Sequence, residues 1–172
     1  MIPKWSDSSR EERFFTAILF QAVIQDWKPL WHLLGPRLAL ATEVGIVDVG
    51  FEVCMLRDLA HAGHINRVPE LEKQTFDLVL TLSNESLVLI EAKAHQRFNT
   101  KQIEEMERAR TLLLANQTLA LKEVFLVGLH SSRYRPAIAG PRFRALLEWA
   151  EIGAAYPAFV SQLQRADQIF QH

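Results

Sequence analysis

The stretch that most restricts what this chain can fold into runs from Thr75 to Met106, TFDLVLTLSNESLVLIEAKAHQRFNTKQIEEM. It reads as two apolar strands, a short polar turn between them, and a helix. The strands are Phe76 to Leu82 and Leu87 to Ala94, and Ser83, Asn84, Glu85 and Ser86 supply the turn chemistry. Three charges do not suit a plain core hairpin. Asp77 interrupts the first strand, and Glu91 and Lys93 stand two apart at the end of the second. Residues i and i+2 of an extended chain point to one face, so Glu91 and Lys93 project together from an otherwise apolar strand. A charge buried in this way costs about 2–5 kcal/mol unless it is paired or coordinates a metal.

Whether Asp77 joins the other two depends on register. Asp77 and Glu91 are fourteen positions apart, so they oppose each other only across an odd loop, for example Ser83 to Glu85, or across a bulged ladder. A regular two- or four-residue turn would put Asp77 on the other face, beside Ala92.

With 172 residues, 49% hydrophobic and 23% charged, the chain suits a single soluble domain with a real core. No signal peptide or membrane span is evident, and Cys54 is the only cysteine. Both point to a cytoplasmic protein without an internal disulfide. A net charge of −1 argues against general nucleic-acid coating while leaving room for a local basic surface.

Around the central stretch, Phe14, Phe15, Ile18, Leu19, Ala22 and Val23 recur at helical spacing. Ser8 with Glu11 and Ser9 with Glu12 both fit a capping box. Glu12 also rides the edge of the buried stripe, so it is open either to capping or to a shared site. From Trp27 to Gly50 the prolines and glycines suggest turns and short helical pieces, with Trp27 and Trp31 filling core space. A helix is expected from Phe51 to Ala62 with Gly63 just past its end. His61 and His64 lack a second ligand pair for zinc. Ile65 to Glu72 is expected to give a first strand, bent at Pro69. Asn99 or Thr100 caps a helix to about Leu114, with Ile103, Met106, Ala109 and Leu113 inward. EVFLVGL, Glu123 to Leu129, reads as a strand buried on both faces and joined to the hairpin by a parallel crossover. Helices are expected from Arg142 to Ala150 and from Pro157 to Phe170. The fold class is therefore α/β, a mixed central sheet flanked by helices.

FD followed by EAK, with a helix glutamate upstream and Gln102 downstream, resembles the PD-(D/E)xK nuclease superfamily. The resemblance implies a restriction-endonuclease-like core over about residues 8–130, with C-terminal helices at 141–170 outside it. Carried over, it makes Asp77, Glu91 and the Ala92 carbonyl the ligands of a divalent metal, Mg²⁺ with Mn²⁺ as substitute. Lys93 would face the attacking water and the phosphate. Glu12, with Phe15 and Thr16 three and four residues on, matches the upstream helix, and Gln102 matches a glutamine about nine residues beyond the lysine. Phe76 stands where the motif has proline, and Met106 stands where some relatives carry a tyrosine.

The chemistry agrees with those residue types. Phosphodiester hydrolysis needs charge neutralised at phosphorus and a nucleophilic water near pH 7, which a hard, oxygen-ligated dication and a neighbouring ammonium supply. The expected activity is metal-dependent hydrolysis of DNA. A homodimer, or a protein partner delivering the substrate, would complete so small a catalytic domain. The alternative from another class is a non-catalytic module binding nucleic acid or protein on the same fold. Asp77 would then satisfy backbone N–H groups, and Glu91 and Lys93 would form a partly exposed ion pair. Arg133, Arg135, Arg142 and Arg144 carry no acid between them, and Lys93, Arg97 and Lys101 add charge near the hairpin end. They read as a phosphate-tracking groove or as a solvated surface.

Overall fold

The structure, a computed structural model, describes residues 11–136 and 142–170. A five-stranded mixed sheet in the order β1-β2-β3-β4-β5 forms its centre. The strands are β1 (Ile46–Val53), β2 (Phe76–Leu82), β3 (Ser86–Ala92), β4 (Glu123–His130) and β5 (Ala145–Glu148). β1, β2 and β3 pair antiparallel, and β3, β4 and β5 pair parallel. Two helical layers cover the sheet. On one face α1 (Glu12–Gln25), α2 (Lys28–Arg37), α5 (Trp149–Ala155) and α6 (Val160–Gln168) pack on Leu78, Leu80, Val88, Ile90 and Val127. On the other, α3 (Met55–His61) and α4 (Thr100–Ala115) pack on Val79, Leu87, Leu89 and Leu126. β2, β3 and β4 are thus buried on both faces, which is why they read as near-continuous apolar runs.

Local chemistry explains the elements around the hairpin. Asn99 accepts the Lys101 N–H and so satisfies a free donor at the start of α4. Ile103, Met106, Ala109 and Leu113 form its buried stripe. Sixteen residues of helix give β3 and β4 the long crossover that parallel pairing demands. Gly63 follows α3 at φ 77°, the left-handed conformation that ends helices and that glycine adopts without Cβ strain.

Three expectations are corrected. Ile65 to Glu72 holds no strand, only a 3₁₀ turn at Pro69–Leu71, and the first strand is Ile46–Val53. Gly45 and Gly50 read as turn punctuation, but Gly50 lies inside the ladder opposite Val79, and its neighbours are β-branched or aromatic. The helix expected from Phe51 accordingly begins only at Met55. The helix expected from Arg142 is replaced by a strand at Ala145 to Glu148, which pairs with the open edge of β4. A capping box between Glu148 and Glu151 then starts α5. Within the stretch expected to hold turns and short helical pieces, Pro29 opens the ten-residue α2. Tyr156 stitches that helix down: its hydroxyl accepts the Leu30 N–H at 3.1 Å and donates to the Asp26 carbonyl at 3.0 Å. Ser8 and Ser9 lie outside the described residues. No helix among the described residues is long and apolar enough to cross a membrane.

Candidate active site

The loop between β2 and β3 contains three residues, Ser83, Asn84 and Glu85, with Glu85 at φ 63°. This is the odd case. The ladder runs from Thr81 opposite Leu87 to Leu78 opposite Ile90, so one further step sets Asp77 against Glu91. There the backbone ladder gives way to a side chain, with the Asp77 Oδ2 accepting the Ala92 N–H at 2.7 Å. A residue's N–H and C=O face the same neighbour in a strand, so the Ala92 carbonyl is also directed towards the Asp77 side.

Lys93 lies just past the end of β3, and its Nζ donates to the Glu91 Oε1 at 2.6 Å. Glu12 joins from the opposite helical layer. Its Oε1 lies 3.6 Å from the Lys93 Nζ, and its Oε2 accepts the Ala94 N–H at 2.9 Å. Between capping and a shared site, the structure places Glu12 in the cluster. Gln102, in the first turn of α4, donates from Nε2 to the Glu91 Oε1 at 2.6 Å rather than closing a capping box with Asn99. Sequence reasoning missed Trp149. Its Nε1–H donates to the Lys93 carbonyl at 3.1 Å while the Lys93 N–H donates to the Leu129 carbonyl at 2.7 Å. Trp149 is fully buried against Phe15, fifty-six residues from Lys93, and no local motif marks such a contact.

Three carboxylates therefore surround one ammonium, with Glu91 only 3% and Lys93 only 7% exposed. The excess negative charge appears in the proton affinities. Burial, then the charge of Asp77, pushes Glu91 up to about 7 in spite of Lys93. Burial likewise pushes Asp77 up to about 6, against the opposing effects of the Ala92 N–H bond and Lys93. For Lys93 burial disfavours the ammonium, but Glu91 and Glu12 outweigh it and hold the pKa above the ordinary lysine value. Lys93 thus stays protonated at neutral pH.

Among the described residues, two oxygens of the cluster accept no hydrogen bond. Both Lys93 and Gln102 donate to the Glu91 Oε1, leaving Oε2 without a protein donor, and the Asp77 Oδ1 is likewise unused. Among the described residues, the fully buried side-chain atoms lacking a partner are the Asn84 Oδ1 and the His95 Nδ1, so these two carboxylate oxygens keep contact with solvent. They are the atoms that could hold a hard cation. No group of three or more His, Cys, Asp or Glu side chains among the described residues forms a ready-made metal cage.

The basic residues separate. Arg97, Arg133 and Arg135 share one cleft, with Tyr134 and Phe170. Lys101 is exposed on α4, 3.9 Å from Glu105. Arg142 is ion-paired to Glu107 on the far side of α4, and Arg144 lines the cleft beside it. Nearness in sequence does not keep the four arginines together, because residues 142–144 lead into β5. The His130 Nδ1 lies 2.8 Å from the Ser131 carbonyl oxygen, and His61 and His64 are exposed. No family model, curated protein or solved structure matches the chain.

Proposed function

We propose that the protein is a metal-dependent nuclease that hydrolyses DNA phosphodiester bonds, with Asp77, Glu91 and Lys93 at its catalytic centre. In this reading the sheet is a restriction-endonuclease-like core. One observation carries it: Asp77 and Glu91 face each other across the hairpin end, each with a solvent-touching oxygen that no protein group uses. A buried cluster that is short of positive charge and raises two of its own carboxylate pKa values lowers the stability of the fold. Such arrangements are a mark of functional sites.

The donor set fits Mg²⁺, which takes one or two carboxylates and keeps several waters, and does not call for an all-protein cage. Asp77 and Glu91 would hold the ion, with the Ala92 carbonyl directed to the same side. When bound, such a dication supplies a nucleophilic water at neutral pH and neutralises charge on the phosphate. The chain's own residues do the rest. Gln102 and Lys93 fix the Glu91 Oε1 and so orient its free oxygen outward. The Lys93 Nζ, held as an ammonium, donates hydrogen bonds to a non-bridging phosphate oxygen as negative charge grows there; it cannot act as the proton acceptor in that state. Glu12 and Trp149 hold the two polar groups of the peptide that follows Lys93, the Ala94 N–H and the Lys93 carbonyl, while the Lys93 N–H is held by Leu129, which limits how far the lysine can swing.

Incubation with supercoiled, linear and branched DNA at pH 8 tests the proposal. Cleavage of at least one substrate is expected with Mg²⁺ or Mn²⁺, none with EDTA, and a loss of about 10³-fold on Asp77→Asn. A non-catalytic binding module would cut nothing under any of these conditions.

A further inference from the structure

Register places a second feature on the same edge of the sheet. Ala92 pairs with Leu129 in the parallel β3–β4 ladder, so Lys93 and His130 leave the sheet side by side. The loops that follow, residues 95–99 and 131–136, rise from the edge that carries the catalytic cluster. Open α/β sheets bind ligands at the carboxyl ends of such strands. Rings lock the two loops together: Phe98 lies 6.0 Å from Tyr134 and 6.3 Å from His130, and Tyr134 stacks on Phe170 at 5.2 Å. Gly128 permits this closure, since a Cβ there would come within 3.0 Å of the Phe98 ring.

Arg97 precedes Phe98, and Arg133 and Arg135 flank Tyr134, so the locked loops bring three arginines to the lining of one cleft of about 320 Å³. These arginines differ from most of the others among the described residues. Arg13, Arg37, Arg67, Arg110 and Arg142 each meet a carboxylate. Arg97 and Arg135 meet none among the described residues, and the Arg133 guanidinium donates to the uncharged Gln168 carbonyl at 2.9 Å. The sequence from Ser131 to Ala145 contains no acid at all. Three cations without a carboxylate partner around one cleft give it a positive potential that an anion would complete. The volume is at the small end of ligand sites, about 300–1,000 Å³, with room for a nucleotide of one strand and not for a duplex.

We propose, building on the nuclease reading, that this cleft holds the phosphates of a single strand of DNA running from the catalytic centre, with an unpaired base stacking on the partly exposed Tyr134. The substrate class is therefore DNA with a single-stranded portion. A cationic groove combined with aromatic surface is how strands are held without sequence readout.

Fluorescence anisotropy in EDTA, with a labelled single strand of twenty nucleotides and the matching duplex, separates this from cleavage. The single strand is expected to bind at least tenfold more tightly than the duplex. The double variant Arg97→Ala/Arg135→Ala removes two exposed side chains that support no fold contact. It should weaken single-strand binding about tenfold or more and lower the slope of log K against log salt by about 1.4, roughly 0.7 for each phosphate that is no longer neutralised. Duplex binding as tight as single-strand binding overturns the proposal. So does an unchanged slope in the variant, or no binding by the wild-type protein. If strand binding meets these expectations but no DNA is cut with Mg²⁺, the nuclease reading fails while the cleft assignment stands. Cleavage that persists with binding indifferent to the two arginines is the converse.

Discussion

Replacing Glu91 with glutamine is expected to abolish metal-dependent cleavage and, at the same time, to make the metal-free protein more stable at pH 8. Glutamine keeps the shape and can still accept the Gln102 and Lys93 hydrogen bonds through its amide oxygen, but it removes a charge that Asp77 and Glu12 repel. The sign follows from linkage. Folded Glu91 binds its proton more tightly than the unfolded chain does, so its contribution is neutral below about pH 4.5 and grows unfavourable as pH rises to about 7. At about 1.4 kcal/mol per tenfold change in proton affinity, the full effect is on the order of 3 kcal/mol above pH 7. The attraction of Lys93 is already contained in that proton affinity, and Glu12 at 3.6 Å retains a partner for the ammonium. Urea melts in EDTA should therefore show Glu91→Gln ahead of wild type by about 1–3 kcal/mol at pH 8, with the gap closing towards pH 4.5. Cleavage should drop by about 10³-fold or more, equivalent to ~4 kcal/mol of charge stabilisation. A variant that is several kcal/mol less stable at pH 8 would mean that Glu91 is a structural ion-pair partner, and the functional account would lose its physical basis.

The second large effect concerns the lone cation. Lys93→Met should cost about 3–5 kcal/mol at pH 8, the usual penalty for removing one partner of a buried charge cluster. The thioether fills the space of the aliphatic stem, but Asp77, Glu91 and Glu12 are then left facing one another with no counter-charge. At pH 5 the cost should be clearly smaller, because Asp77 and Glu91, with pKa values pushed up to about 6 and about 7, carry protons there. Melts of this variant at the two pH values decide the matter; equal stability to wild type at pH 8 would show that Lys93 does not neutralise the cluster.

These opposite expectations for two residues in direct contact could be framed from the sequence only in part. The hairpin, the buried β4 and the capped α4 were legible because each has a local signature: turn residues, an unbroken apolar run, an Asn at the cap. That Glu91 and Lys93 share a face followed from strand geometry alone. The position of Asp77 did not, since Ser83 to Ser86 supports either an odd or an even loop and only the pairing of Thr81 with Leu87 settles which. β1 was hidden by Gly50, whose place in a strand depends on β2 lying alongside. β5 was hidden because four residues take up strand structure only when a parallel edge is already present. Glu12 and Trp149 reach the cluster from positions far along the chain, through the opposite helical layer, and local patterns carry no record of that. The arginines misled in the other direction: a run that is contiguous in charge along the sequence is divided by the start of β5.

Crystals soaked in Mn²⁺ put the central claim to its most direct test. An anomalous peak should appear between the Asp77 Oδ1 and the Glu91 Oε2, and it should vanish in Glu91→Gln crystals soaked in the same way. Wild-type crystals soaked at millimolar Mn²⁺ that show no peak there, with Lys93 still bound to Glu91, would contradict the account.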